Sequence, residues 1–460
     1  MIEHQCPYSL LQVALPDAPA PHVAHARLAA IHPHSFILES REGPARLARH
    51  SFVGFAPTGT VTVDTKGSHV DGPLPQPNTG EHPLDYLRRL HAEHALPRQA
   101  AADAPFVGGL VGSLGHDFVR ILEPSLGAGD EAWPRLALGL YLDGIVYDHF
   151  AGSTTYVSRG PDRSAEVQRA LAAPAPSAPL HVEGLQSRTD EAAFTAQVQR
   201  AQAAIRAGEA FQIVLSRAYD AAYRGDLGSL YARLRDAAPV PYLFHLRQGD
   251  RQLLGASPEM LVRVRGDAAE TFPIAGTRPL TGDNERDQAA AEELLQDRKE
   301  RAEHAMLVDL ARNDLARVCR PGSVQVAAYA EVQRFRFVQH LVSHVRGQLR
   351  DGQDALSALC AVFPAGTVSG APKLRALEHI HAIEAAPRGA YAGAVAYWSF
   401  SGDLDSAITI RSLSAQGGRL RVQAGAGIVH RSDPAREFQE TEDKAATMLV
   451  CLRPHMAVQA

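Results

Sequence analysis

Two segments of the chain each carry a pair of glutamates at a spacing that could bind a metal ion. Glu300 and Glu303 lie three residues apart, and so do Glu437 and Glu440, so each pair would share one face of a helix. Glutamate pairs on helices are usually solvated, and this alternative stays open for each pair. If the two faces meet, their carboxylates suit Mg²⁺, which prefers oxygen ligands and leaves room for an anionic substrate. The cysteine and histidine spacings of zinc sites are absent from the sequence.

Two helices must position these glutamates. Residues 287–310 contain few helix breakers and many Ala, Glu, Leu, Arg and Lys residues, which predicts one helix around the first pair. Asp433 and Pro434 predict a capping residue and a first helical position just before the second pair. Lys444 would lie on the same helix face as that pair.

A glycine-rich segment, residues 423–428, follows a short alternating strand at 420–422. Glycine has no Cβ, so backbone N–H groups in such a loop can approach an anion closely, although a tight turn explains the glycines equally well. A second segment, residues 363–373, superficially resembles a phosphate-binding loop but has Ala-Pro before its lysine. It does not match the phosphate-loop pattern, and we therefore reject a nucleoside triphosphatase.

Two single polar residues lie in apolar runs that are typical of strands. For His340 a structural role is the commoner interpretation, but an imidazole that faces a cleft could transfer protons. Arg411 could either grip a substrate carboxylate with two hydrogen bonds or form a buried ion pair. Together, the residues predict a magnesium-dependent enzyme with acid and base groups and a small, polyanionic substrate.

Composition disfavours several other classes of protein. The chain has 460 residues, 45% of them hydrophobic, and a formal net charge of −5, whereas a bulk nucleic-acid binder needs an excess of basic residues to neutralise phosphates. No apolar run is long enough to span a membrane, and the first residues lack the basic and apolar regions of a secretion signal. Four scattered cysteines without a CxxC pair are typical of a reducing compartment. We therefore expect a cytoplasmic protein that binds neither nucleic acid nor membrane.

The chain is predicted to divide near a tract rich in proline and alanine. An N-terminal region, residues 1–171, mixes short apolar runs with turn signals, and residues 172–188 are predicted to be a linker. Residues 189–455 form the second predicted region, in which the chemical motifs are concentrated. It opens with a predicted helix that Thr189 or Asp190 would cap.

Seven segments of the second region carry recognisable motifs. They lie at residues 211–217, 254–259, 273–279, 301–314, 340–343, 363–373 and 423–444. In this order they resemble component I of anthranilate synthase, within the family of chorismate-utilising enzymes. The N-terminal half matches more loosely, at residues 37–40 and 108–112, and Ser113 and His116 stand where aromatic residues are expected.

This resemblance implies an α/β fold of the α+β type, in which two packed antiparallel sheets carry helices on the outside. It also implies a lyase that converts chorismate and ammonia into anthranilate and pyruvate, the first step of tryptophan biosynthesis. Ammonia would add at the ring carbon beside the carboxylate while the C4 hydroxyl leaves. Enolpyruvate would then be eliminated as the ring becomes aromatic.

The resemblance also implies roles for the glutamates. Glu303 and Glu440 would bind Mg²⁺ directly, and Glu300 and Glu437 would reach it through water, so that the ion holds the ring carboxylate as a Lewis acid. Glu259 would be the general acid that protonates the departing hydroxyl, since hydroxide is a poor leaving group.

The other implied contacts surround the substrate. His340 resembles the histidine implicated in the elimination of pyruvate, and Tyr391 and Arg411 would hold the enolpyruvyl carboxylate. The remaining substrate-binding residues would be Gly276, Thr277, Thr367, Gly425, Ala426, Gly427 and Lys444.

Two positions discriminate among the relatives. Aminodeoxychorismate synthases have a nucleophilic lysine where this chain has Ala275, and isochorismate and salicylate synthases have a water-activating lysine where it has Gln212. Both differences favour ammonia as the nucleophile and anthranilate as the product. Component I of aminodeoxychorismate synthase, in the folate branch, stays an alternative. So does an inactive regulator that binds chorismate or tryptophan, although every expected metal carboxylate and His340 are present.

The resemblance finally implies two partners. No cysteine lies in a Gly-x-Cys-x-Gly elbow, so the chain should use ammonia itself, and glutamine only with a separate glutamine amidotransferase subunit (component II). Residues 38–40 resemble a tryptophan-feedback motif, and Pro241, Tyr242 and Leu243 resemble its partner segment. We therefore predict that L-tryptophan binds as an inhibitor at Ser40 and these three residues, although both segments could be ordinary parts of the core.

Overall fold

The computed structural model describes residues 10–41, 49–97, 105–129, 133–174, 178–336 and 338–456. Within these ranges the helices are α1 (Pro21–Ala29), α2 (Pro83–Ala92), α3 (Val119–Leu122), α4 (Ser164–Ala172), α5 (Glu191–Arg206), α6 (Gly228–Ala237), α7 (Asn284–Gln296), α8 (Arg298–Ala316), α9 (Ala355–Val362), α10 (Lys373–Ile383) and α11 (Pro434–Leu452). None of them is long and apolar enough to cross a membrane.

The same ranges contain the strands of two sheets. The strands are β1 (Leu11–Ala14), β2 (His34–Glu39), β3 (His50–Phe55), β4 (Gly59–Asp64), β5 (Gly67–Asp71), β6 (Gly109–Leu114), β7 (Leu136–Tyr141), β8 (Asp143–Asp148), β9 (Ser153–Ser158), β10 (His181–Ser187), β11 (Gln212–Arg224), β12 (Tyr242–Gln248), β13 (Arg251–Ser257), β14 (Met260–Arg265), β15 (Ala268–Thr271), β16 (Ile274–Pro279), β17 (Gln325–Arg334), β18 (Val338–Gln348), β19 (Gly370–Ala371), β20 (Ala394–Ser399), β21 (Leu404–Ile408), β22 (Ser412–Gln416) and β23 (Arg419–Ile428).

Both sheets are antiparallel at the pairings that build them. The first has the order β1-β9-β8-β3-β2-β12-β13-β22-β23-β11-β10, with β19 paired to β11. The second has the order β16-β18-β15-β14-β21-β20-β6-β7-β4-β5, with β17 paired to β18. Aromatic side chains fill the space between the sheets: the ring of Phe36 on β2 meets that of Tyr141 on β7 edge-on, with centroids 4.8 Å apart. Two packed antiparallel sheets with helices confirm the predicted fold class.

Each sheet combines strands from both predicted regions of the chain. In the first sheet β2 pairs with β12, and in the second β6 pairs with β20. The span 172–188, which was expected to be a linker, contains strand β10, and this strand pairs with β11. The division of the chain at this span stays a prediction, but the polypeptide there is part of a sheet.

Two local predictions near the glutamates need correction. Residues 287–310 do not form one helix, because Asp297 ends α7 and caps α8 by accepting hydrogen bonds from the N–H groups of Lys299 and Glu300. A short acidic side chain satisfies the free N–H groups of a new helix, and this local bond outweighs the helix propensity of its neighbours. Residues 423–428 are not a loop after a strand, since β23 runs on to Ile428 in pairing with β11.

Two predicted helix starts are confirmed. The carboxylate of Asp190 accepts a hydrogen bond from the N–H of Ala193 at the start of α5. Asp433 caps α11 in the same way through the N–H of Arg436, with Pro434 at the first helical position. Both helices therefore begin where their capping residues predict.

Candidate active site

A cavity of 530 Å³ opens where helices α8 and α11 approach strands β16, β18 and β23. Fourteen of the predicted site residues line it: Glu259, Gly276, Thr277, Glu300, Glu303, His340, Thr367, Tyr391, Arg411, Gly425, Gly427, Glu437, Glu440 and Lys444. Segments that are up to 185 residues apart in the sequence, from Glu259 to Lys444, therefore meet in one place.

The four glutamates of α8 and α11 face this cavity together. Poor solvation is the main cause that raises the pKa values of Glu300, Glu303 and Glu437, and the negative charge of Glu440 raises each of them further. Among the described residues, no three of these four carboxylates have oxygens within 4.8 Å of one another. Carboxylates that raise one another's pKa values across a cavity are typical of cation ligands, and oxygen donors on two helices suit Mg²⁺.

Lys444 connects the glutamates of the cavity to strand β23. Its ammonium donates one hydrogen bond to Oε1 of Glu440 over 2.6 Å and another to the carbonyl of Gly425 over 3.1 Å. The side chain therefore crosses from α11 to β23. It also shows that the carbonyl of Gly425 points away from β11.

The two glycines of β23 bring bare backbone to the cavity. A Cβ on Gly425 would lie 2.6 Å from the hydroxyl of Tyr391, and one on Gly427 would lie 2.4 Å from the amide nitrogen of Gln212. Gly425 has no room for a side chain, because the backbone carbonyl of Leu215 lies 2.7 Å from the same Cβ, whereas at Gly427 the end of the Gln212 side chain would have to move. Ala426, between them, is buried in the core and does not line the cavity.

The N–H groups of these two glycines are turned away from β11. Val214 and Ser216, their partners on β11, send their own N–H groups to the carbonyl of Ser369 and the carboxylate of Glu384 instead of to β23. Residue pairs in an antiparallel ladder alternate between hydrogen-bonded and free, so the N–H groups of the two glycines are free of this ladder. Since β22 ends its pairing with β23 at position 422, the glycine N–H groups are available to an anion in the cavity.

Glu259 follows β13 and is held in a polar contact within the cavity. Its Oε1 accepts a hydrogen bond from the hydroxyl of Thr367 over 2.8 Å. Burial raises the pKa of this carboxyl to about 7, although the bond from Thr367 and the charge of Lys444 both lower it. A carboxylic acid that is still protonated near neutral pH can act as a general acid.

His340 lies on β18 with one ring nitrogen fixed. Its Nδ1 lies 2.9 Å from the carbonyl of Gly276 and 3.1 Å from the hydroxyl of Thr277. A carbonyl can only accept, so Nδ1 carries the hydrogen and Nε2 keeps its lone pair. Burial lowers the pKa of the imidazole, which keeps it neutral and able to accept a proton.

Arg411 and Tyr391 supply donors at another wall of the cavity. Arg411 follows β21 in the left-handed region, with a φ of 50°, and pairs with no carboxylate of the described residues. Burial raises the pKa of Tyr391 to about 12, so its phenol keeps its hydrogen. A guanidinium and a phenol that face the same cavity suit a carboxylate, which favours the substrate-binding role of Arg411 over the alternative of a buried ion pair.

Comparison with known proteins agrees with this geometry. Residues 33–450 match the chorismate binding enzymes. The chain belongs to the chorismate-binding enzyme family. Among curated relatives, anthranilate synthase component 1 of Methanothermobacter thermautotrophicus is 45% identical over 422 residues, which cover 90% of this chain and 88% of the relative. The protein of the same name from Thermus thermophilus is 40% identical over 448 residues, with coverages of 95% and 96%.

Solved structures show the same fold for this chorismate-binding enzyme. Anthranilate synthase component I from Streptococcus pneumoniae superposes with a TM-score of 0.78 at 36% identity, over 88% of this chain and 93% of that one. The menaquinone-specific isochorismate synthase from Escherichia coli superposes with a TM-score of 0.74, over 97% and 96% of the two chains. Its identity is 23%, so this second likeness concerns the fold alone.

A buried ion pair behind the cavity of this chorismate-binding enzyme was not found from the sequence. Arg388 donates two hydrogen bonds to Glu384, and Glu384 accepts from both the N–H and the hydroxyl of Ser216. The hydroxyl of Ser216 in turn accepts from the amide of Gln423, which lines the cavity. The spacing of four residues between Glu384 and Arg388 was a possible signal, but it is common on surface helices.

Another group of potential metal ligands lies outside the cavity. Atoms of His116, Asp117 and His381 lie within 4.8 Å of one another. The guanidinium of Arg120, however, lies 3.1 Å from Asp117 and 3.3 Å from Nδ1 of His381. Because Arg120 already places a positive charge against two of the three groups, we assign no metal to this cluster.

A second cavity, of 80 Å³, contains the residues that resemble a tryptophan site. Ser40, Pro241, Tyr242 and Leu243 all line it. Ser40 follows β2, which pairs with β12, and its hydroxyl donates to the carbonyl of Pro241 over 2.6 Å. The two predicted segments therefore lie together, as the tryptophan hypothesis requires.

Proposed function

We propose that the chain is the synthase subunit of an anthranilate synthase, which converts chorismate and ammonia into anthranilate, pyruvate and water. The observation that carries this proposal is the single cavity in which a carboxylic acid, a neutral histidine, an arginine–tyrosine pair and four glutamates face one another. The curated relatives from Methanothermobacter thermautotrophicus and Thermus thermophilus, named anthranilate synthase component 1, support the same activity.

The four glutamates would hold Mg²⁺ in this proposal. When bound, the ion would withdraw negative charge from the ring carboxylate of chorismate as a Lewis acid. The glutamates would fix the position of the ion and, through it, the orientation of the ring carboxylate. Lys444 adds an ammonium beside Glu440. The free N–H groups of Gly425 and Gly427 would contact carboxylate oxygens of the substrate.

The remaining residues would carry out the two chemical stages. In the first, the nitrogen of ammonia bonds to the ring carbon beside the carboxylate, the ring double bonds shift, and Glu259 protonates the C4 hydroxyl so that it leaves as water with the electrons of its bond. The added nitrogen then releases one proton, which balances the proton that Glu259 gave. In the second, Nε2 of His340 would accept the hydrogen of the ring carbon that now carries nitrogen, and the electrons of this C–H bond complete the aromatic ring as the bond from the ring to the enolpyruvyl oxygen breaks. The released enolpyruvate takes up a proton and becomes pyruvate. Arg411 and Tyr391 would hold the enolpyruvyl carboxylate in both stages.

Product analysis tests this function directly. We expect the purified chain, supplied with chorismate, Mg²⁺ and ammonium, to produce the fluorescence of anthranilate. Glu303→Gln should weaken the apparent affinity for Mg²⁺ by about tenfold or more, since it removes a charged ligand, whereas Asp309→Asn, on the exposed side of α8, should not change it. Accumulation of 4-amino-4-deoxychorismate would favour the aminodeoxychorismate alternative, and absence of turnover would favour a regulator.

Ammonia is the proposed nitrogen source of the isolated chain. Burial raises the thiol pKa values of Cys319, Cys360 and Cys451, which is opposite to what an activated thiolate needs; Cys6 lies outside the described residues. Glutamine should therefore support anthranilate formation only when a glutamine amidotransferase subunit is added. Consumption of glutamine by the purified chain alone would contradict this.

L-Tryptophan is the proposed inhibitor, bound at the cavity of Ser40, Pro241, Tyr242 and Leu243. The meeting of the two segments supports this site, as does the polar pair of Glu39 and Arg235 beside it, whose side chains lie 2.8 Å apart. An amino acid carries both an ammonium and a carboxylate, and Glu39 and Arg235 offer one negative and one positive group to them.

A further inference from the structure

The hydrogen bond between Thr367 and Glu259 joins two segments that are 108 residues apart. Glu259 lies in the short connection from β13 to β14, and Thr367 lies in a 3₁₀ turn, Gly366–Val368, between α9 and β19. Among the described residues, Thr367 is the only one whose side chain forms a hydrogen bond with the carboxyl of Glu259. The orientation of the carboxyl therefore depends on where the turn holds the hydroxyl.

The turn is fixed from both sides. Arg388 donates a hydrogen bond of 2.6 Å to the carbonyl of Val368, and the hydroxyl of Ser369 donates one of 2.8 Å to the carbonyl of Ala365. Arg388 is itself held by Glu384. The buried ion pair behind the cavity thus contacts the turn at the carbonyl of Val368, the residue after Thr367.

Glu259 is fixed by its own backbone as well. Its N–H lies 3.3 Å from the hydroxyl of Ser257, and its carbonyl accepts a hydrogen bond from the N–H of Ile408 over 3.1 Å. With the main chain anchored at both groups, the carboxyl can rotate only about its side-chain bonds. The hydroxyl of Thr367 limits that rotation.

We propose that Thr367 is a positioning residue for the general acid: its hydroxyl donates to Oε1 of Glu259, so that the transferable proton is carried by Oε2 and is presented to the substrate. A carboxylic acid can carry its proton on either oxygen, and donation by Thr367 favours the arrangement in which Oε1 is the carbonyl oxygen, because this oxygen is the better acceptor. This inference rests on the proposed function. It assigns Thr367 a role through Glu259, beyond the general substrate contact that the resemblance implies.

The hydrogen bond from Thr367 also affects the pKa of Glu259. A donor to the carboxylate stabilises the charged form, so Thr367 holds the pKa of Glu259 lower than burial alone would. Lys444 of α11 acts in the same direction, and His340 of β18 and Arg411 beyond β21 face the same cavity. Removing the hydroxyl should therefore raise the pKa of the acid and keep it protonated to higher pH.

Thr367→Val tests the proposal because it removes the hydroxyl and keeps the shape. We expect kcat for anthranilate formation to fall about tenfold, the effect of a barrier about 1.4 kcal/mol higher, with little change in KM for chorismate. The basic limb of the kcat–pH profile should move up by about 1 unit, as the loss of one hydrogen bond to a charged group predicts. Thr367→Ser keeps the hydroxyl and should restore most of kcat and the position of the limb.

A double-mutant cycle separates this role from a structural one. In Glu259→Gln, which has no acid to orient, adding Thr367→Val should cost no further kcat. Independent, multiplying losses would overturn the proposal, and so would a higher KM with an unmoved pH limb in Thr367→Val. Equal thermal midpoints of Thr367→Val and Thr367→Ser would show that both variants are folded. If the wild type makes no anthranilate, the proposed function fails; if it does and the limb of Thr367→Val stays in place, only this inference fails.

Discussion

At the scale of single residues, the cavity places its carboxyl groups in two different electrostatic environments. Glu259 is poorly solvated and close to the ammonium of Lys444, and its pKa of about 7 keeps the acid half protonated near neutrality. Glu300 and Glu303 are also poorly solvated, but their pKa values are raised further by carboxylates nearby. The first environment suits a proton donor, and the second suits ligands that a cation must neutralise.

The pH dependence of Glu259 gives a prediction for one residue. A general acid works in its protonated form, so kcat should fall as pH rises through about 7. Glu259→Gln should lower kcat by about 10²- to 10⁴-fold and should lose this basic limb, because its amide has no proton to give. Glu292→Gln, an exposed glutamate on α7, serves as the matched control and should keep both kcat and the limb. A Glu259→Gln enzyme with an unchanged limb would assign the acid to another group.

At the scale of elements, both helices that carry the proposed metal ligands begin just before their glutamates. Asp297 caps α8 three residues before Glu300, and Asp433 caps α11 four residues before Glu437. The first turn of a helix exposes N–H groups and the positive end of its dipole, which favours acidic side chains there. The caps therefore fix the direction of each helix and also help it to carry negative charge at the cavity.

Loss of a cap should weaken both stability and metal binding. Asp433→Ala removes the acceptor for the N–H of Arg436 and should lower the free energy of unfolding by about 1 kcal/mol, as cap removal usually does. Fraying of the first turn should also weaken the apparent affinity for Mg²⁺, because Glu437 lies in it. Denaturant unfolding and a Mg²⁺ titration of activity measure the two effects. Gln439→Ala, an exposed change on the same helix, should show neither, and equal behaviour of the two variants would contradict the role of the cap.

At the scale of the whole molecule, the two cavities are joined through one hairpin. Tyr242 of β12 lines the smaller cavity and lies opposite Ser257 of β13. The hydroxyl of Ser257 in turn accepts from the N–H of Glu259 in the larger cavity. A ligand that shifts β12 would therefore move the backbone that carries the proposed acid.

Inhibition by L-tryptophan should depend on this smaller cavity. Ser40→Arg places a large cation where the hydroxyl of Ser40 now bonds to Pro241, so it should abolish tryptophan binding and inhibition while ammonia-dependent activity remains. Calorimetry with L-tryptophan and activity assays measure the two effects. Ser153→Arg, at an exposed position on β9, should bind and respond like the wild type. Equal tryptophan affinity in Ser40→Arg and the wild type would remove Ser40 from the site.

The sequence by itself determined those features that depend on short stretches of chain. The caps at Asp190 and Asp433, the glutamate pairs and the seven motifs all rest on residues within one helical turn or one strand, where local hydrogen bonds and side-chain spacing dominate. Local hydrogen bonds also explain why residues 287–310 form two helices instead of the predicted single one. The capping bonds of Asp297 outweigh the helix propensity of its neighbours.

Only the tertiary structure decided which of these local features act together. The pairing of β23 with β11 turned Gly425 and Gly427 toward the cavity and Ala426 into the core, because adjacent residues of a strand face opposite ways. The contact of Thr367 with Glu259 and the buried pair of Glu384 and Arg388 depend on how turns and helices pack across the sheets. Such contacts join residues far apart in the chain, and their geometry is set by strand register and packing, which short sequence patterns do not encode.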